Sequence, residues 1–128
     1  MFTAQAIVDF ARLYDPQPHH LDPKAAEAGL FGGLVASGFQ TLAQTFAAFF
    51  TGGPFDGSNL GSPGIERLEW LKPVRPGDSI RLKGTVAALR PSASKPDRGL
   101  ITMEYQAVDD DDQPVMRYRM VHLVRRRP

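Results

Sequence analysis

The feature that most constrains this chain is a change of rhythm. Between Phe39 and Phe50, apolar residues fall at Phe39, Leu42, Ala43, Phe46, Ala47 and Phe50, the i, i+3, i+4, i+7, i+8, i+11 spacing of one helix face. That pattern predicts one long helix with a buried stripe. After Gly64 the period becomes two. Ile65 to Lys72 alternates imperfectly, and Ile80, Leu82, Val86 and Ala88 alternate with Arg81, Lys83 and Thr85. Leu100 to Val108 follows, and then Met116, Tyr118, Met120 and Val124 share a face opposite Arg117 and Arg119. Period two predicts about four strands, each with one buried face. Pro73–Asp78, Pro91–Gly99 and Asp109–Pro114 connect them with turns and a polar loop, so the class is α+β with an antiparallel sheet.

Shorter elements precede the long helix. Thr3 is a plausible N-cap for a helix carrying Ile7, Phe10, Ala11 and Tyr14, which Asp15-Pro16 ends. Pro16 to Leu21 reads as extended. Asp22-Pro23 supplies an N-cap and an N1 proline for a second short helix that stops at Gly29. Thr51-Gly52-Gly53-Pro54 stops the long helix, and Gly and Pro punctuate the chain as far as Gly64.

Composition narrows the function. The 128 residues fit one domain, residues 1–128, whose core needs no disulfide or structural metal. With no cysteine, disulfide frameworks, thiolate metal sites and Cys nucleophiles are all excluded. Fifteen Lys+Arg balance fourteen Asp+Glu, which argues against nucleic acid as a partner. No basic stretch followed by an apolar run opens the chain, and Phe39–Phe50 is too short to span a bilayer, so a cytoplasmic protein without a membrane partner is expected.

Asp15-Pro16-Gln17-Pro18-His19-His20-Leu21-Asp22, followed by Phe31-Gly32-Gly33-Leu34-Val35-Ala36-Ser37-Gly38, resembles the MaoC-like dehydratases and (R)-specific enoyl-CoA hydratases. Their motif, Asp-x-(Asn or Gln)-Pro-x-His-x-Asp, falls on Asp15, Pro18, His20 and Asp22, and an Ala-(His or Ser)-Gly step falls on Ala36-Ser37-Gly38. Gly61-Ser62-Pro63-Gly64, Trp70 to Asp78 and Arg90 to Gly99 also look like this family, so the likeness runs nearly the whole chain. It implies a hotdog fold, an antiparallel sheet wrapped around a long central helix. It further implies reversible addition of water to a trans-2-enoyl-CoA thioester, giving a (3R)-hydroxyacyl product. No cofactor and no metal are implied, and a homodimer or higher homo-oligomer is expected.

Hydrating a conjugated thioester needs a base for water, an acid for the α-carbon and donors for the enolate oxygen. Asp15 and His20 stand five residues apart across two prolines, stiff enough to fix both side chains at one site. The plainer reading has Asp15 capping a turn and His20 as a satisfied loop histidine. By the resemblance, the two hold a water between them, and the Gly38 N–H, at a helix N-terminus, meets the thioester oxygen. Gln17 and Ser37 are substrate-binding candidates. Gln17 equally suits positioning Asp15 or stabilising the turn, and Ser37 equally suits starting the helix. Asp22 reads as a cap, His122 is unassigned, and Asp109–Asp112 reads as a solvated turn without EF-hand spacing. Arg125-Arg126-Arg127, Lys72, Arg75, Lys95 and Arg98 are candidates for carrier phosphates or plain solvated side chains. Phe46, Phe49 and Phe50 suggest a short or medium acyl group. A hotdog thioesterase and a non-catalytic acyl-thioester-binding or regulatory protein are the alternatives.

Overall fold

The computed structural model describes residues 1–51, 53 and 59–126. The Thr3 hydroxyl accepts the Ala6 N–H at 3.0 Å and starts α1 (Ala4–Tyr14), which buries Ile7 and Ala11. Pro16 keeps Asp15 out of the helical region, and Asp15 takes φ −154° and ψ 68°. The segment expected to be extended contains a helical turn, α2 (Pro18–Leu21). Pro18 sits at N1, where its fixed φ suits a helix and its missing N–H removes no bond. Asp22 then caps α3 (Pro23–Glu27), accepting the Lys24 and Ala25 N–H groups at 3.0 and 3.4 Å.

The long helix is α4 (Gly38–Thr51), and its apolar stripe faces inward only in part. Gln40, Thr41 and Thr45 are the buried positions, whereas Phe39, Ala43 and Ala47 are exposed and Leu42, Phe46 and Phe50 are half-buried. The hydroxyls tolerate burial because helix carbonyls satisfy them: Thr45 Oγ1 donates to Thr41 O at 2.6 Å and Thr41 Oγ1 to Ser37 O at 3.4 Å.

Four strands, β1 (Asn59–Trp70), β2 (Arg81–Pro91), β3 (Arg98–Val108) and β4 (Pro114–Arg125), pair antiparallel in the order β1-β4-β3-β2. β1 begins well before the alternation at Ile65. Gly61 and Gly64 take φ +147° and +159°, values open to glycine, and Pro63 is tolerated on an edge strand. A further break in register between Glu66 and Glu69, with Arg67 at φ +54°, is the reason Ile65–Lys72 alternates imperfectly.

α4 lies across one face of this sheet and meets every strand. Gly38 abuts Trp70 of β1, and Phe49 reaches Gly84 of β2 and Tyr105 of β3. Phe46 stacks on His122 of β4, with ring centroids 6.4 Å apart. The core beneath it comes from the two central strands, with Met103, Tyr105, Ala107, Val115, Met116 and Tyr118. Phe2, Ile7, Leu34 and Val74 close its side. β1 and β2, at the edges, are exposed almost throughout. Val86 and Ala88, expected to be buried, are exposed: Val86 stands opposite Met103 on the edge strand, and a bulge after it shifts the alternation before Ala88. Among the described residues no helix is long and apolar enough to cross a membrane.

Candidate active site

Two backbone features bring Asp15 and His20 together. Asp15 is released at the C-terminus of α1, and the Gln17 N–H returns to Asp15 O at 2.7 Å, which folds the chain back before α2. His20, in the last position but one of α2, is buried. Segment 31–37 then closes over it. Val35 N donates to His19 O at 3.1 Å, Ala36 N to Val74 O at 2.8 Å, and Arg75 Nη2 to Phe31 O at 2.7 Å.

The imidazole is oriented from both ends. Its Nδ1 lies 2.7 Å from Val35 O, and a carbonyl only accepts, so Nδ1 carries the hydrogen. Nε2 therefore points at Asp15 Oδ2, 3.2 Å away, and the two bond when one proton lies between them. Asp15 is held in turn: Gln17 Nε2 donates to Oδ1 at 2.6 Å and Ser37 Oγ to Oδ2 at 2.7 Å. Burial alone would push the carboxyl up. The hydrogen bonds from Gln17 and Ser37, with the imidazoles of His20 and His19, outweigh burial and hold it below the usual carboxylate value.

Ser37 starts α4 and is fully buried; its hydroxyl accepts the Phe39 N–H at 3.2 Å, and its carbonyl accepts the Gln40 and Thr41 N–H groups. One residue thus caps the helix and braces the carboxylate, two roles that sequence alone left open between a substrate contact and a helix start. Gly38 follows. Among the described residues no acceptor is bonded to its N–H, which leaves a donor with the partial positive charge of a helix N-terminus. Asp15, Gln17, His20, Gly38, Trp70 and Lys72 are among the residues around one cleft of about 450 Å³. The structure brings every catalytic and oxyanion candidate to that cleft, whereas Ser37 stands behind Asp15.

The other candidates lie elsewhere or are already engaged. Lys72 Nζ is 2.6 Å from Asp109 Oδ2 at the cleft rim, and Asp109 organises its own turn by accepting from Asp111 and Gln113. Arg125 and Arg126 sit at the far end of β4 from the cleft, Arg98 pairs with Asp97, and Arg127 lies outside the described residues. Asp22 is the cap of α3. Two residues of the cleft were given no site role from the sequence. His19 contacts both His20 and Phe31, with centroids 4.0 and 5.8 Å apart, and Trp70, quoted only as part of a motif, forms one wall. A second groove of about 410 Å³ crosses the outer sheet face, but its carboxylates Glu69 and Glu104 are paired with Arg117 and Arg119, and no histidine lines it.

A four-stranded antiparallel sheet curved around one long helix, with its site at that helix's N-terminus, is a hotdog fold. Residues 1–107 match the family model described as "MaoC like domain", and the chain belongs to that family. The crystal structure of a MaoC-like dehydratase from Rhodospirillum rubrum is similar at 41% identity and a TM-score of 0.91, covering 99% of this chain and 86% of that one. An (R)-hydratase from A. caviae involved in PHA biosynthesis gives 26% identity and a TM-score of 0.72, with 94% and 86% covered. The uncharacterized protein YdeM of Bacillus subtilis is 28% identical over 120 residues, 94% of this chain and 84% of YdeM.

Proposed function

We propose that this protein reversibly adds water to a trans-2-enoyl thioester of coenzyme A, giving a (3R)-hydroxyacyl thioester. The observation that carries this reading is the Asp15–His20 pair, whose Nε2 and Oδ2 face each other at 3.2 Å in a cleft that also holds the Gly38 N–H. Water bound by the pair loses a proton to one member as its oxygen bonds the β-carbon. The electron pair moves to the thioester oxygen, where the Gly38 N–H stabilises the enolate. The other member gives the α-carbon the proton that the pair shares between Nε2 and Oδ2, the proton taken from water restores that shared proton, and the net change is one water added. Gln17 and Ser37 position the carboxylate, and neither needs to touch substrate for this role.

Residues 1–128 act as one catalytic domain in this reading, in the cytoplasm and as a homodimer. Two open edge strands, with Ile65, Val86 and Leu89 exposed, support the dimer, because an uncovered edge is a pairing surface. The test is to follow the conjugated-thioester absorbance of crotonyl-CoA while assaying free thiol and product configuration. Loss of absorbance with a (3R) product and no thiol supports the lyase. Thiol release with the double bond intact rejects it in favour of a thioesterase.

A further inference from the structure

Trp70 is the one tryptophan in the chain, and it ends β1 at the edge of the cleft. Its indole lies against the first residue of α4. A Cβ at position 38 would stand 2.2 Å from Trp70 Cε2 and 2.4 Å from Nε1, distances no side chain tolerates. The glycine and the indole therefore form one fitted contact beside the bare N–H. Phe39 meets the same ring edge-on, with centroids 5.8 Å apart. With Leu71 they make one side of the cleft apolar, while Asp15, Gln17, His19 and His20 supply its polar side. Trp70 is 48% exposed and Phe39 56%, so two large aromatic faces border a site with room beside them.

A thioester ligand has a polar carrier arm and an apolar tail, and the two sort to walls of matching chemistry. We infer that Trp70 is the specificity-determining residue of this cleft: its indole, seated on Gly38 and edge-on to Phe39, bounds the acyl tail and limits it to short chains. The inference rests on the enoyl-thioester reading above. The limit is steric, because an indole has only two side-chain torsions and this one rests against Gly38 and Phe39 at the start of α4. Removing the ring opens space alongside the helix N-terminus for a longer tail. Phenylalanine, a smaller ring, opens less.

The experiment compares kcat/KM for crotonyl-CoA, octenoyl-CoA and dodecenoyl-CoA in the wild type, Trp70→Ala and Trp70→Phe. The wild type should prefer crotonyl-CoA. The octenoyl-to-crotonyl ratio should rise about tenfold or more in Trp70→Ala, the scale on which pocket size discriminates chain length, and by less in Trp70→Phe. An unchanged ratio in a Trp70→Ala protein with the wild-type circular dichroism spectrum overturns the assignment, and turnover of crotonyl-CoA then leaves the lyase reading standing. If no enoyl-CoA turns over, the lyase reading fails on its own and calorimetric binding decides the role of Trp70. A gain in octanoyl-CoA affinity relative to butyryl-CoA in the variant upholds it, and no gain overturns it. Should Trp70→Ala not fold, Trp70→Phe carries the same comparison.

Discussion

Two histidines in this protein each meet a hydroxyl or carboxyl partner, and their surroundings suit them to opposite work. His20, near the N-terminus of α4, has Nδ1 fixed by Val35 O and Nε2 turned to the ionised Asp15 at the wall of an open cleft. His122, beneath the other half of the same helix, is fully buried among Phe46, Phe50 and Tyr105, and its Nε2 meets the Tyr105 hydroxyl at 2.7 Å. Burial pushes the His122 imidazole down and the Tyr105 phenol up to about 12, so both are neutral at ordinary pH. A charged partner and a route for substrate make one imidazole fit for proton transfer. A neutral partner in a closed box makes the other a packing element with a hydrogen bond.

The sharpest way to break this contrast is to disable each half separately. Asp15→Asn and His20→Ala should each lower kcat/KM with crotonyl-CoA by about 10²- to 10⁴-fold, the range for a positioned acid or base, without loss of the folded far-ultraviolet spectrum. The double variant should fall little below the worse single one, since the pair acts as a unit. Steady-state kinetics on all three variants checks both statements.

Gly38→Ala comes next. The added methyl overlaps Trp70, so it should destabilise the fold by about 1–3 kcal/mol, as overpacking does, measured by urea denaturation. It should also lower kcat, because the indole and the helix N-terminus separate where the proposed enolate donor lies.

At His122 the effect is on stability and depends on pH. In the folded chain its pKa lies below the ordinary value, whereas in the unfolded chain it is about 6.5. Between those values the unfolded state holds a proton that the folded state lacks, so stability falls as pH drops through that window. His122→Gln should flatten this slope, read from urea midpoints across the acid range. An equal slope in the variant would remove His122 from the account.

The smallest expected effect is at Ser37. Ser37→Ala deletes a hydrogen bond that helps hold the Asp15 carboxyl down, so that carboxyl should protonate at higher pH. The acid limb of the kcat/KM profile should move up by about one unit or less. Loss of the cap should cost about 1 kcal/mol as well.

The contrast also separates what the sequence made legible from what it did not. Local chemistry was readable: Thr3 and Asp22 cap as their spacing indicates, and Arg117 and Arg119 face away from Met116 and Tyr118. The Asp15–His20 pair stood out through the family motif that contains it, while the two prolines only stiffen the segment between them. Features decided across the chain were hidden. Nothing local says that Thr41 and Thr45 turn inward while Phe39 and Ala47 turn outward, because both choices satisfy helical spacing. The early start of β1 at Asn59 depends on pairing with Val124, far along the chain. The Ser37 bond to Asp15 and the Tyr105 bond to His122 are likewise products of packing, and so is the indole of Trp70 over Gly38.

The central claim is that one Asp15–His20 pair, on one side of the substrate, handles both protons. Hydration of crotonyl-CoA in deuterium oxide, with the product analysed by NMR, tests it most directly. The account predicts one deuterium at the α-carbon, added to the same face as the new hydroxyl, and loss of that product in Asp15→Asn and His20→Ala. Addition to opposite faces, or full turnover in either folded variant, would contradict it.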